Sequence, residues 1–273
     1  MTAASRDRLV RLARRNDVDL AEAALLCAVG ADPDLDIEVE LLRLDALADA
    51  LEARHPPLGY GRQAAAALAD YLAGELGFGG EVGREPTPED SLLHHVVATR
   101  RGLPITLSIV YAAIARRIGV PAYLIGLPGH VVTGIPDGDR PVVLDPFHGG
   151  RILDEGALSE RVTTATAGQL AYRRSMLRPS PTVNVVRRLL NNLTRDLRAA
   201  GAPGRALWTV ELKLALPNRV PADHRQHGEL LAATGRFDRA AAAFERFLEL
   251  TAGDTPERET VRRAAIEARS RMN

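Results

Sequence analysis

The segment PGHVVTGIPDGDRPVVLDPFHGG, residues 128–150, decides the predicted fold. Two apolar runs, HVVTGI and PVVLD, flank Asp137-Gly138, and an Asp-Gly pair in this setting is the strongest local signal for a β-hairpin. A two-residue loop at this pair places His130 directly opposite Asp145, where the carboxylate can hold an imidazole N–H as the orienting acid of a catalytic triad does. A chance pair on a surface hairpin stays open, because a one-residue slip of the register would separate the two side chains.

Helices surround this hairpin on the N-terminal side. LPITLSIVYAAIARRIG, residues 103–119, predicts a buried helix that Gly119 ends, and VPAYLIGL then predicts a strand. Upstream, the Ala/Leu-rich stretch to about Leu76 predicts a helical block, and the Gly/Pro/Glu-rich residues 77–90 predict a loop that delimits it. The predicted fold class is therefore α+β, with helices that precede an antiparallel sheet.

An internal repeat follows the linker RPSPT at residues 178–182. Gly201 and Gly235, and likewise Ala206 and Ala240, are separated by 34 residues, which is the tetratricopeptide period. The segment GELLAATGRFDRAAAAFERFLEL also carries the small residues of that repeat. We predict a helical N-terminal segment over residues 1–85, an α+β core over 86–178 and tetratricopeptide-like helices over 183–273.

The composition argues against several classes of partner. The formal net charge is +0, so the chain lacks the basic field that nucleic acid or an anionic membrane surface requires. The first residues contain no apolar stretch typical of a signal peptide, and no run approaches the length of a membrane span. A single cysteine, Cys27, excludes an intramolecular disulfide. We expect a cytoplasmic protein with no cofactor and no nucleic-acid or membrane partner, and its oligomeric state stays open.

The series GLPITLSIVYAAIARRIGVPAYLIG, PGH and LDPF, in that order, resembles the transglutaminase-like superfamily. With LHHVVATRRG, LDPFHGG and the trailing repeats, it is similar more narrowly to bacterial transglutaminase-like proteins with tetratricopeptide repeats, the SirB type. The resemblance implies a papain/transglutaminase-like core in which a cysteine-led helix, a histidine strand and an aspartate strand build the site. His130 matches the superfamily histidine and Asp145 its aspartate.

The nucleophile position departs from the superfamily pattern. Where the superfamily has Gly-x-Cys at the start of the helix, this chain has Gly102-Leu103-Pro104. A helix N-terminus stabilises a thiolate through its unpaired N–H groups, but it also suits proline, which lacks the N–H that would have no partner there. The resemblance therefore predicts a pseudoenzyme, a binding or regulatory protein that contacts a protein or peptide partner through its tetratricopeptide-like helices.

An enzymatic alternative uses a hydroxyl in place of the thiol. Thr106 or Ser108 would be the nucleophile of an amide or acyl hydrolase or transferase, with His130 as base and Asp145 as orienting acid. Both hydroxyls are also of a type that readily bonds to local backbone, so capping or packing roles are open for them. Cys27 lies in an apolar helix and is a poor substitute, since buried cysteine usually behaves as an inert small hydrophobe.

A metal-assisted hydrolase is the other alternative. His130, Asp145 and His148 would supply two imidazoles and a carboxylate as metal ligands. His94 and His95 are adjacent on a predicted helix, so at most one of them faces any given site. Solvated or core-satisfied histidines are the commoner explanation of such residues.

Overall fold

The computed structural model describes residues 1–55 and 58–272, which form two compact units. Residues 15–189 are one unit, and residues 1–14 together with those from Leu190 onward are the other. These boundaries differ from the predicted segments 1–85, 86–178 and 183–273. The reason is that residues of the predicted N-terminal segment, among them Ala21, Leu44 and Leu68, share one apolar core with the helix at residues 104–117, whereas residues 1–14 belong to the other unit.

The described part of the chain contains the α-helices α1 (Ala3–Ala13), α2 (Leu20–Ala28), α3 (Ile37–Glu52), α4 (Gly61–Ala69), α5 (Leu93–Thr99), α6 (Pro104–Arg117), α7 (Glu155–Ala165), α8 (Thr182–Ala199), α9 (Pro203–Ala215), α10 (Pro221–Ala233), α11 (Phe237–Leu250) and α12 (Pro256–Ser270). The strands are β1 (Tyr123–Leu127), β2 (His130–Ile135), β3 (Val142–Asp145) and β4 (Arg151–Leu153). A π-helical turn, Asp70–Glu75, continues α4, and 3₁₀ turns lie at Pro88–Ser91, Pro146–His148 and Arg174–Leu177. The predicted α+β class is confirmed. No helix in residues 1–55 or 58–272 has both the length and the apolar character to cross a membrane.

Helix α6 is the centre of the unit formed by residues 15–189. Every side chain from Ile105 to Ala115 is buried, as expected for a helix that is apolar on all sides. The sheet covers one side of α6, and α2, α3 and α5 pack against it as well. Gly119 ends the helix region with a φ of 76°, so the predicted helix and its glycine stop are confirmed.

The antiparallel sheet has the order β1-β2-β3-β4, but the β2–β3 connection is longer than predicted. Ile135 lies opposite Val142, so the loop runs from residue 136 to residue 141. The predicted two-residue loop and its register are wrong. That register would place Pro141 inside the ladder, where proline has no N–H to donate. In addition, a type I′ turn requires a positive φ at both central residues, and of Asp137 and Gly138 only Gly138 has one.

The two faces of the sheet pack against different helices. Val131, Ile135 and Leu144 belong to the core around α6. Val132, Val143 and Leu153 pack instead with residues of α7. Because side chains alternate along a strand, His130 and Asp145 belong to the face that α7 covers. The register error was two residues, which preserves the face of every side chain, so the predicted same-face relation of His130 and Asp145 holds.

In the other unit, consecutive helices from α9 to α12 pack on one another through short connections. Gly201 and Gly235 end α8 and α10 with φ values of 70° and 75°, and Ala206 and Ala240, one in α9 and one in α11, are both fully buried. The two glycines 34 residues apart therefore share a backbone conformation, and the two alanines at the same spacing share full burial. Within this unit α10 and α11 approach closely at Gly228, where a Cβ would lie 2.5 Å from the Phe244 ring.

This close approach predicts that Gly228→Ala destabilises the protein although alanine is the better helix former. We expect the free energy of unfolding to fall by about 1 to 3 kcal/mol, because Phe244 has to leave its packed position. Gly204→Ala in α9 is the matched control, since its Cβ would meet only the Thr234 methyl at 3.4 Å. Urea unfolding of the three proteins measures the difference, and equal stability of the two variants would contradict the packing described.

Candidate functional site

The fully buried carboxylate of Asp145, at the end of β3, accepts hydrogen bonds from three side chains. His130 Nε2 lies 2.9 Å from Oδ1, His148 Nδ1 lies 2.9 Å from Oδ2, and Arg161 Nη2 lies 2.7 Å from Oδ2. We call these four residues the Asp145 cluster. Because the ionised carboxylate only accepts, His130 carries a proton on Nε2, and in its neutral form its Nδ1 is the nitrogen with the free lone pair.

Four elements bring these side chains together. His130 is the first residue of β2, directly after a turn in which Gly129 has a φ of 67°. The 3₁₀ turn Pro146–His148 follows Asp145 and places the His148 side chain against the carboxylate. A hydrogen bond of 2.9 Å from Gly150 N to Asp145 O closes the turn. Arg161 projects from α7 on the same face of the sheet. The site therefore depends on one end of the sheet and on the helix that covers it.

Electrostatics favour the ionised form of Asp145. Burial raises the pKa of the carboxyl group, but the hydrogen bond and charge of His130, together with Arg161 and His148, outweigh this and hold the pKa below its ordinary value. Tyr111, on α6, is fully buried, and its hydroxyl has no hydrogen-bond partner in the described residues. Burial and then the negative charge of Asp145 raise the pKa of this phenol.

A glycine-rich loop links this site to the chain that leads into α6. Gly79 forms a parallel bridge with Arg101, and Gly80 N donates to Phe147 O at 2.9 Å. The ring of Phe147 stands edge-on to His130, with ring centroids 6.1 Å apart. The loop therefore contacts both the segment before α6 and the segment that follows Asp145.

Pro104 is the first residue of α6, at the same end of the sheet as His130 and Asp145. Helix α6 ends at Arg117, shortly before β1 begins opposite Gly134, so its first turn points towards the opposite sheet end, where β2 begins. The helix packs on the face that His130 does not occupy. A nucleophile at position 104 would therefore approach His130 around the end of the sheet.

The two candidate hydroxyl nucleophiles bond to backbone carbonyls. Thr106 Oγ1 lies 2.8 Å from Asp90 O and 3.0 Å from Leu103 O, and Ser108 Oγ donates to Val131 O at 3.2 Å. Both residues are fully buried. Within the described residues, neither hydroxyl forms a hydrogen bond with His130.

The remaining candidates lie apart from the Asp145 cluster. Burial raises the pKa of Cys27, in α2, to about 12. His94 and His95 contact each other, with ring centroids 4.6 Å apart, and His94 Nε2 lies 3.7 Å from Asp32 Oδ2. Neither histidine is joined to Asp145 by a hydrogen bond or ion pair in the part of the chain that the structure describes.

A metal site at the Asp145 cluster has suitable atoms but an unfavourable charge. The ligand atoms of His130, Asp145 and His148 all lie within 4.8 Å of one another. However, Arg161 Nη2 already bonds to Asp145 Oδ2 and lies 3.5 Å from His148 Nδ1. A cation placed among these ligands would be repelled by the positive charge of the Arg161 guanidinium, so this set of ligands does not favour a metal ion.

Arg161 and Tyr111 are the site residues that the sequence analysis missed. Arginines are spread along the whole chain, and no local motif marks the one that reaches Asp145. The burial of Asp145, which the sequence analysis did not predict, is the signal that could have pointed to them, since a carboxylate without water requires further donors. That requirement says that donors exist, but it does not say which residues supply them.

The lowered pKa of Asp145 predicts a pH-dependent contribution to stability. The folded-state pKa lies below the unfolded value of about 3.9, so ionisation of Asp145 stabilises the fold above that value and this stabilisation is lost as the pH falls through the folded pKa. We therefore expect Asp145→Asn to lower the free energy of unfolding more at pH 7 than at strongly acidic pH. Urea unfolding across this range measures it, and a constant difference would contradict the favourable ionisation.

Comparison with known proteins agrees with this architecture. Residues 40–191 match the family model described as the transglutaminase-like superfamily. A UPF0162 protein of Xylella fastidiosa (strain 9a5c) is 30% identical over 234 residues, covering 85% of this chain and 83% of its own length, and a UPF0162 protein of Pseudomonas aeruginosa is 27% identical over 143 residues, or 52% of each chain. A crystal structure of menin that reveals the binding site for Mixed Lineage Leukemia protein matches with a TM-score of 0.43 and 12% identity, covering 90% of this chain and 69% of the menin chain. At these values we draw no conclusion about fold or function from the match. Since the family model covers more than half of the sequence, and its matched region contains the sheet, α6 and the Asp145 cluster, the chain belongs to the transglutaminase-like superfamily.

Proposed function

We propose that this protein is a non-catalytic member of its superfamily, a binding or regulatory protein. The observation that carries the proposal is Pro104 at the first turn of α6, the position that matches the superfamily cysteine. Proline has no nucleophilic side-chain atom, whereas acyl transfer by covalent catalysis requires one next to a base. In this proposal His130 and Asp145 are the remaining two members of a degenerate triad.

The bonding of Thr106 and Ser108 supports this proposal over a hydroxyl-based hydrolase or transferase. For either hydroxyl to attack a substrate, its hydrogen bond to a buried carbonyl would have to break, and that carbonyl would lose a donor. Within the described residues, neither hydroxyl bonds to His130, whose bond to Asp145 leaves Nδ1 as the nitrogen that would have to act as base. The charge of Arg161 in turn disfavours a metal-assisted hydrolase, so we assign no cofactor.

We further propose that α9 to α12 form tetratricopeptide-like repeats that contact a protein or peptide partner. The equivalent glycine turns at Gly201 and Gly235, and the buried Ala206 and Ala240, support this assignment at the 34-residue period. Repeat helices of this kind present extended surfaces for binding. A cytoplasmic location stays a prediction.

A turnover measurement tests the loss of catalysis. We expect the wild-type protein to have no amidase, esterase or transamidase activity above that of His130→Ala, because Thr106 and Ser108 bond to backbone carbonyls and, among the described residues, not to the imidazole. The same substrates are given to Thr106→Val and Ser108→Ala. Wild-type turnover that disappears in His130→Ala would overturn the proposal, and loss in one hydroxyl variant would identify the nucleophile.

The variant Pro104→Cys tests whether position 104 still lies where the superfamily thiol stands. A thiol at a helix N-terminus beside an imidazole has a lowered pKa, so we expect it to react with iodoacetamide faster than a free cysteine. Cys27 provides an internal control, since burial raises its pKa to about 12 and keeps it unreactive in the folded protein.

The double variant Pro104→Cys/His130→Ala separates the imidazole from the helix. We expect its alkylation to slow towards the rate of an ordinary exposed thiol, as followed by mass spectrometry over a range of pH. An identical rate in the single and double variants would show that His130 does not act on position 104.

A further inference from the structure

A cavity of about 370 Å³ opens beside His130 on the sheet face that α7 covers. Arg151, at the start of β4, and Arg161, on α7, both line it. Leu153 and Ala157 supply apolar lining, and Glu160 adds a carboxylate. This volume lies within the range of pockets that hold small ligands, towards its lower end.

Arg151 brings an uncompensated positive charge to this cavity. It pairs directly with Asp145 in the β3–β4 register, so the two side chains leave the sheet on the same face. The oxygens of Asp145 are already occupied by His130, His148 and Arg161. Across residues 1–55 and 58–272, the side chain of Arg151 forms no ion pair or hydrogen bond.

Arg161 adds a second guanidinium with unused donors. Its side chain is 26% exposed, and Nη2 is the nitrogen with hydrogen-bond acceptors in the described structure. Its Nε is buried and has no acceptor among the described residues, and a buried donor without an acceptor is unfavourable, so a ligand that supplies an acceptor would be stabilised there. Two arginines with free donors in one cavity suit a planar carboxylate, which guanidinium groups bind in a bidentate manner.

Glu160 limits the chemical class of ligand that the cavity can bind. It is exposed, and in the described residues its side chain has no ion-pair or hydrogen-bond partner, so its negative charge faces the cavity. Glu160 repels a phosphate dianion more strongly than a single carboxylate, and a peptide also carries amide N–H groups from which Glu160 can accept hydrogen bonds. Leu153 and Ala157 are suited to the apolar parts of such a ligand.

We propose that this cavity binds short peptides through a carboxylate, with Arg151 and Arg161 as its donors and Glu160 as the acceptor of a peptide N–H. The inference rests on the proposed binding function and names the class of ligand for the cavity next to His130. The carboxylate comes from a peptide C-terminus or from an acidic side chain, and the chemistry of recognition is the same for both.

Three pools of randomised tripeptides test the proposal on the full chain. One pool has free C-termini and no acidic residues, the second is amidated and contains Asp or Glu, and the third is amidated and non-acidic. We expect one or both carboxylate pools to shift the Arg151 and Arg161 side-chain NMR signals, and the neutral pool to leave them unchanged. The pool that binds identifies the source of the carboxylate.

Arg151→Gln should weaken binding roughly tenfold or more, as expected for loss of a charged hydrogen-bonding partner. The matched control is Arg62→Gln, an exposed arginine on α4 outside the cavity, which should bind as the wild type does. Binding of no carboxylate pool, equal binding of the neutral pool, unchanged affinity in Arg151→Gln, or tighter binding of inorganic phosphate than of any pool would each overturn the proposal. Hydrolysis of a bound peptide would overturn the non-catalytic function and leave the ligand assignment standing.

Discussion

An ionised carboxylate that is removed from water has to be surrounded by donors, and this requirement at Asp145 governs the end of the sheet. The start of β2, the turn after β3 and the middle of α7 each deliver one donor to the same two oxygens. Each of these elements contributes one of the three bonds that compensate the buried charge. The geometry of the candidate site and the packing of α7 on the sheet therefore depend on each other, because Arg161 of α7 bonds to Asp145.

The relation between His130 and Asp145 was predictable because it depends on alternation along strands and not on the exact pairing. The predicted two-residue loop does not form, since it would place Pro141, which cannot donate, in the ladder. The observed register is shifted by two residues, which changes the paired residues but leaves each side chain on its predicted face. In the same way α6 was predictable from its continuous apolar run and from Gly119. Predictions that depend on a periodic pattern therefore stay correct even when the length of one loop is predicted wrongly.

Other features were not predictable because they depend on distant elements meeting in space. Arg161 lies 16 residues after Asp145 and on another element, and only the packing of α7 on the sheet brings it to the carboxylate. The bonding of Thr106 to Asp90 O likewise requires the 3₁₀ turn before α5 to lie beside α6. The early helices share the core of α6, so the composition break at residues 77–90 marks a loop inside a unit and not its border. Composition reports such breaks without reporting what packs across them.

Gly80 shows how the packing beside His130 depends on a residue remote from it in sequence. A Cβ at this position would overlap the ring of Phe147, and that ring in turn stands against His130. The absence of a side chain at position 80 therefore leaves the space that the Phe147 ring occupies edge-on to His130. A redesign here has to treat positions 80 and 147 together, because a side chain at position 80 requires the residue at position 147 to shift or to be smaller.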